Sequence, residues 1–447
     1  VLKLTDTAFK ESEVQAMYSR TSNSIRAIKG RVLIALVASM SLIGAKVIHA
    51  VEAQGPARAQ AQGIQVAYPD AGLTDIRSLD VYIDHRTIHV LLAGSQAGAP
   101  TPVLRYLRSK DGGESWSAPM VIESSDPLGH MKRGNDVQIA AAGKRLVAVW
   151  QTTGTGFMGG GPLVTAISDD GGTTWAPGPN PANDSSTGGH SFVDIAAAPA
   201  GVFHLVWLDN REAESSPAED PRGQKTDGEA IQGLRQARSA DGGRTWSPNT
   251  TVDNKTCSCC WNTLTASPKG ALYLLYRDAG PRDMRVAQSV DGGVNWHRFG
   301  PVGAFNWKFD GCPHMGGGLA VTGDDLHSIV WTGEEQHAGL YYLRSLDGGR
   351  SWARPIGLGG KNAGHSDLAA LDANRLIAVW DAAGPEDSAI LAAQSSDSGR
   401  TWSTPQRLSA PGVIATHPRA VATPFGVRAF WTESRAGAAN GWAMARL

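Results

Sequence analysis

Charge is scarce in this sequence. Only 19% of its 447 residues are Asp, Glu, Lys or Arg, and they sum to a net charge of -1, so no basic surface offers itself to nucleic acid or another polyanion. Long apolar runs are missing too. The longest, 32–45, ends at Lys46 and falls short of the roughly 20 residues that cross a bilayer. Cysteine is nearly absent, with four residues in all, too few for a disulfide-dense scaffold of this length. What the chain has in quantity is glycine, 53 residues, and tryptophan, 14. Gly-rich turns between short apolar runs are the composition of an all-β chain.

The apolar run follows Arg26, Lys29 and Arg31 and precedes small residues at Ala50 and Ala53, the order of an export signal. Residues 1–53 are therefore expected to be a targeting segment, with those before Met17 expected to be untranslated, 54–63 a linker, and 64–447 the folded part. The expected location is periplasmic or extracellular, with membrane contact only if the segment stays uncleaved.

One eight-residue frame, S-x-D-x-G-x-x-W, recurs six times. It runs from Ser109 to Trp116, then from Ser168, Ser239, Ser289, Ser345 and Ser395 to the tryptophan seven residues on. Its aspartates are Asp111, Asp170, Asp241, Asp291, Asp347 and Asp397. The spacing suits a four-stranded blade plus loops. The carboxylate can accept backbone N–H groups across a tight turn while glycine supplies the positive φ. Two apolar strands precede each frame, the second ending near Trp150, Trp207, Tyr276, Trp331, Trp380 or Trp431. With a first repeat at 74–94, the count is seven. The expectation is an all-β, seven-bladed β-propeller of four-stranded antiparallel blades, six-bladed as the alternative. Closure is expected from an N-terminal strand at 64–68 beside the last repeat.

The frames identify a resemblance to the Asp-box, or bacterial neuraminidase repeat, superfamily, which includes sialidases and sortilin-like receptors; it covers about 64–447. The resemblance implies that the Asp boxes are structural and lie opposite an active site. For a sialidase it also implies three arginines, a Tyr/Glu nucleophile pair and an Asp acid/base. The usual F/Y-R-I-P motif is absent. Its nearest equivalent is Asp75-Ile76-Arg77-Ser78, and Arg133, Asp136, Arg211, Glu212, Arg277 and Asp278 are further candidates, with Arg77, Asp136, Arg211 and Arg277 foremost.

The loops before the first strands of successive repeats share a residue type. They contain His130 and Met131, His190, the run Cys257-Ser258-Cys259-Cys260-Trp261, then Cys312 with His314 and Met315, His365, and His417. This places them on one rim of the central channel. Thiolate, thioether and imidazole together suit a soft metal, copper first and zinc second, with Cys257, Cys259, Cys260, Cys312, His314 and Met315 as ligands. Structural disulfides and redox-active dithiols are alternatives for the same cysteines. The insertion 209–232, polar and long, is expected to be a lid. Three functions follow: metal handling or redox chemistry, a sialidase-like glycosidase or glycan-binding propeller, or an interaction scaffold. The partner is a small ligand, metal or glycan at the channel mouth, and not nucleic acid.

Overall fold

The computed structural model describes residues 70–447 except 125, 127, 130–133, 135, 156–159, 187, 212–231, 312 and 436. The targeting segment, the linker, the expected closing strand at 64–68, His130, Met131, Arg133, Cys312, Glu212 and most of the expected lid lie outside the described residues. Among the described residues no helix is long and apolar enough to cross a membrane.

The chain is all-β. Asp75–Asp84, Thr87–Ser95, Val103–Ser109 and Met120–Ile122 pair in sequence order as an antiparallel sheet, and four-stranded sheets of this kind recur in the form of propeller blades. Among the described residues the last repeat has three strands, Ile414–Thr423, Gly426–Ser434 and Gly441–Arg446. It joins the sheet before it through one parallel contact, Ser388 with Ile414.

Strand two of each repeat explains the sheets' stability. It reads as a continuous apolar run because it is covered on both faces, as in Val90, Leu91, Leu92 and Ala93, all fully buried. The core lies between neighbouring sheets. Leu91, Leu104 and Tyr106 of the first repeat pack with Ile139, Leu146 and Trp150 of the second. Trp150, Trp207, Tyr276, Trp380 and Trp431 are buried, while Trp331 is only partly so.

Each Asp box forms the turn between the third and fourth strands. Asp111 Oδ1 accepts the Ser115 N–H at 2.9 Å and the Ser109 hydroxyl at 2.8 Å, while Ser109 Oγ accepts the Gly113 N–H. The same bonds recur at Asp170, Asp241, Asp291, Asp347 and Asp397. The bonds from Ser115 hold the Asp111 carboxyl down at about 2. A second contact explains the paired glycines. A Cβ on Gly172 would enter the ring of Tyr106 in the preceding repeat, and one on Gly399 the ring of Tyr342. The first box follows the same rule against the last repeat, where Gly112 and Gly113 meet Phe425 and Met444, and the Arg428 Nε donates to Gly112 O at 2.6 Å.

Candidate functional site

The first strands of successive repeats are neighbours around a common axis, and Asp75–Asp84 also meets Ile414–Thr423 of the last repeat. Polar side chains fasten them. Ser78 Oγ accepts the N–H groups of Asp136 and Val137, Asp80 that of Ile139, Asp194 that of Leu264, and Asp367 that of Ala420. Because strand one of each repeat is entered from the loop that precedes it, these loops crowd one end of the axis. The Asp boxes and the turns between first and second strands lie at the other.

At the loop end, Trp261, Asn262, Gly316, His365, Ser366 and His417 line a cavity of about 30 Å³ above Asp194, Gln138 and Arg419. That holds one water and no sugar ring. Trp261 closes the axis, its ring edge-on to Phe192, His365 and His417 at centroid distances of 5.3, 5.4 and 5.1 Å.

His365 and His417 stack at 3.5 Å between centroids. Hydrogen-bond accounting fixes their protons. Asp381 Oδ2 accepts from His365 Nδ1 at 2.8 Å, Thr416 Oγ1 at 2.6 Å and the His417 N–H at 3.0 Å. Since the single Thr416 proton goes to the carboxylate, its oxygen accepts from His417 Nδ1, 2.9 Å away. Both imidazoles therefore carry Nδ1–H, so that Nε2 is the nitrogen with the lone pair when either ring is neutral. The His417 Nε2 is buried without a partner among the described residues. Burial, followed by the neighbouring His365, pushes His417 well below the ordinary histidine value. Burial opposes ionisation of Asp381, yet His365 and its hydrogen bond outweigh it and hold the carboxyl at about 2. Gly364 is glycine for a reason visible here, since a Cβ would collide with Asp381 Oδ1.

Beneath this pair, Arg419 Nε lies 3.2 Å from Asp80 and its Nη1 3.9 Å from Asp367. Burial alone would lower the Arg419 value, but the charges of Asp367, Asp80 and Asp194 raise it. Burial drives Asp194 up to about 7 against the Arg419 charge and the Leu264 N–H, and raises Asp80 as well. The four side chains form a charged plug that ties the first, third, sixth and seventh repeats together.

The structure brings three of the expected metal ligands into one place. Cys257, Cys259 and Cys260 are buried free thiols with Sγ atoms all within 4.8 Å of one another. No disulfide joins these three. Met315 approaches them through its backbone N–H, which hydrogen-bonds Cys260. His314, at a φ of 52°, lies in the same loop.

Other sequence candidates are dispersed. His190, fully buried, has Asp184 at 3.1 Å and Asp209 at 3.5 Å from Nε2 and Gly188 O at 3.1 Å from Nδ1. Arg211 binds the same Asp209 at 2.6 Å, so His190 and Arg211 meet two carboxylates in a closed network. Arg277 donates to the carbonyls of Met315, Arg282 and Trp331 and lies over the Trp307 ring, its donors spent on backbone. Arg77 is half-exposed and paired with Asp75 at 2.6 Å. Among the described residues no contact joins Arg77, Arg211 and Arg277 in one carboxylate grip, and Asp136 is held by its backbone to Ser78. Asp278 pairs with Arg285.

Sequence reasoning missed Asp80, Asp194, Asp367, Arg419 and Asp381. A signal was present. Asp194 and Asp367 are each the lone acid of an apolar first strand, Asp80 lies inside one that begins and ends with Asp75 and Asp84, and Asp381 follows the buried Trp380 as Asp209 follows Trp207 by two.

No family model matches the chain, and no curated protein does. Among solved structures, a polysaccharide lyase of family PL25, an ulvan lyase bound to -[GlcA(1-4)Rha3S]-, is similar at a TM-score of 0.55 and 12% identity, over 86% of this chain and 96% of the lyase. The two share a fold. Sialidases are similar at lower scores: Hadza microbial sialidase Hz136 at 0.45 and 14% identity over 78% and 74% of the two chains, and the Streptococcus pneumoniae sialidase NanB at 0.46 and 9% over 86% and 70%. The chain resembles the sialidase-like Asp-box propellers, as its repeated frames imply.

Proposed function

We propose that this is an exported, seven-bladed propeller that binds an acidic glycan across the Trp261 end of its channel and acts on it with His365 as general base. The ring rests on the run of neighbouring first strands that returns from the seventh repeat to the first, and on the first Asp box lying against Phe425 and Met444. The observation that carries the chemistry is the His365–Asp381 pair, in which the carboxylate fixes Nδ1–H and leaves Nε2 as a proton acceptor.

An imidazole base favours elimination over hydrolysis. Glycoside hydrolysis usually takes two facing carboxyl groups, whereas Asp381 is buried and spends Oδ2 on three donors. In a uronic acid residue the carboxylate acidifies C5–H. His365 Nε2 takes that proton, the C5–H electron pair becomes the C4–C5 double bond, the C4–O bond breaks, and the imidazolium returns its proton to the departing oxygen. A similar fold carries a glucuronate-containing polysaccharide in the ulvan lyase, which supports the substrate class. The cavity of about 30 Å³ is too small for a sugar ring, so the glycan lies over Trp261, whose ring offers a stacking face.

Isothermal titration with oligosaccharides of uronic acid tests the binding half. Wild type is expected to bind and Trp261→Ala to lose about 10-fold or more, with Val290→Ala, a remote exposed site, unchanged. Equal affinity in Trp261→Ala would remove the platform from the reading.

A further inference from the structure

Cys257, Cys259 and Cys260 occupy three of four consecutive positions, and the turn they form before Thr263–Ala266 points all three sulfurs inward. Cys257 Sγ is 3.4 Å from Cys260 Sγ and 3.7 Å from Cys259 Sγ. Those separations discriminate between fates. A disulfide needs about 2.05 Å between sulfurs, whereas bonds of about 2.3 Å to one shared ion set sulfurs nearly 4 Å apart. Buried thiols can also serve as small apolar side chains, but the surroundings go further than that. The Met315 N–H is directed at Cys260, the Arg277 charge lies beside the same sulfur, and the Cys257 thiol is turned toward it.

We infer that Cys257, Cys259 and Cys260 form a site for one Cu(I) ion, held between the fourth repeat's entry loop and the loop of Met315. Soft thiolates select Cu(I) and zinc. Among the described residues three sulfurs are grouped, the number a trigonal Cu(I) site takes, while structural zinc almost always takes four ligands. Cu(I) with two thiolates and one thiol carries -1, which the buried Arg277 cation offsets; each sulfur bound as thiolate releases one proton to solvent. This site is separate from the imidazole pair and does not depend on the glycan reading.

The test uses the full chain, reduced and handled without oxygen, with Cu(I) supplied as its bicinchoninate complex. Wild type is expected to withdraw one Cu(I) per chain, seen as loss of the chelator's colour, and to gain thermal stability on loading. Cys260→Ser and Cys259→Ser are expected to bind at least 100-fold more weakly with unchanged circular dichroism. Should a serine variant fail to fold, the wild-type stoichiometry and thermal shift still decide. Uptake no greater than that of a protein with its thiols alkylated, preference for Zn(II) over Cu(I), or a Cys257–Cys260 disulfide in the isolated protein would each overturn the assignment.

Discussion

His365 Nδ1 lies 2.8 Å from Asp381 Oδ2, and the same oxygen accepts the Thr416 hydroxyl that in turn accepts from His417 Nδ1. One carboxylate oxygen thereby sets the tautomers of two stacked imidazoles from different repeats. Asp381→Asn keeps the shape but replaces an obligate acceptor with a group that can donate. Turnover of a cleaved glycan is expected to fall about 100-fold or more, the usual contribution of a positioned base, with binding retained. Steady-state kinetics beside titration calorimetry would check it; an unchanged rate would show that the carboxylate does not serve His365.

Among the described residues Arg419 is the only cation paired with the channel carboxylates Asp80 and Asp367. Arg419→Met leaves buried carboxylates uncompensated, a change that costs about 3–5 kcal/mol. The loss should shrink at pH 5, because carboxyls raised by burial then take up protons. Urea denaturation at pH 7 and pH 5 measures both numbers. Equal losses at the two pH values would contradict the plug.

Gly399 and Gly270 both have positive φ, 80° and 87°, but Gly399 faces the buried Tyr342 ring while Gly270 faces open space. Gly270→Ala is expected to cost about 1 kcal/mol for the backbone alone. Gly399→Ala adds overpacking of about 1–3 kcal/mol. Thermal or urea unfolding of the pair separates box-to-blade packing from simple turn strain.

His89, His204 and His327 are each lowered to about 4, by burial first and then by Arg108, Arg238 and Arg344 respectively. Unfolded histidine titrates near 6.5. Their stabilising effect is thus complete above pH 6.5 and is lost as pH falls, at about 1.4 kcal/mol per pH unit each down to about pH 4. Asp194, up at about 7 against 3.8 unfolded, works in the opposite direction, gaining stability as pH falls through 7. The net expectation is a thermal midpoint that declines from pH 6.5 to 4, and a shallower decline in His327→Gln. A midpoint flat across that range would contradict neutral burial of the three.

The architecture was legible because a repeat is read many times over. The Asp-box frame needs a carboxylate, a hydroxyl and a glycine two residues after the aspartate, and all six copies form the same bonded turn, the last with Ser398 at a φ of 62° where the others have a further glycine. The site was only half legible. Placing His365, His417 and the three cysteines near one end of the axis followed from the phase of the repeat, since each precedes a first strand. Which of them meet did not follow, because the loops approach from different repeats: His190, at the same phase, is enclosed by Asp184, Asp209 and Arg211 instead of facing the imidazole pair. Arg277 shows the same limit. Its charge suggested carboxylate recognition, but the backbone carbonyls of Met315 in the next repeat's entry loop, of Arg282 and of Trp331 claim it. Asp381 escaped notice since nothing in a strand-end aspartate reveals that a histidine 16 residues earlier folds back onto it.

The central claim, that His365 acts as base on an acidic glycan at the Trp261 end, is tested most directly by incubating the protein with a panel of uronic acid polysaccharides and following the ultraviolet absorbance of the new double bond. The account predicts that wild type generates it from at least one polymer, and that His365→Gln, folded by circular dichroism, is slower by about 100-fold or more. A rate in His365→Gln equal to wild type, or no product from any uronic acid polymer, would contradict it.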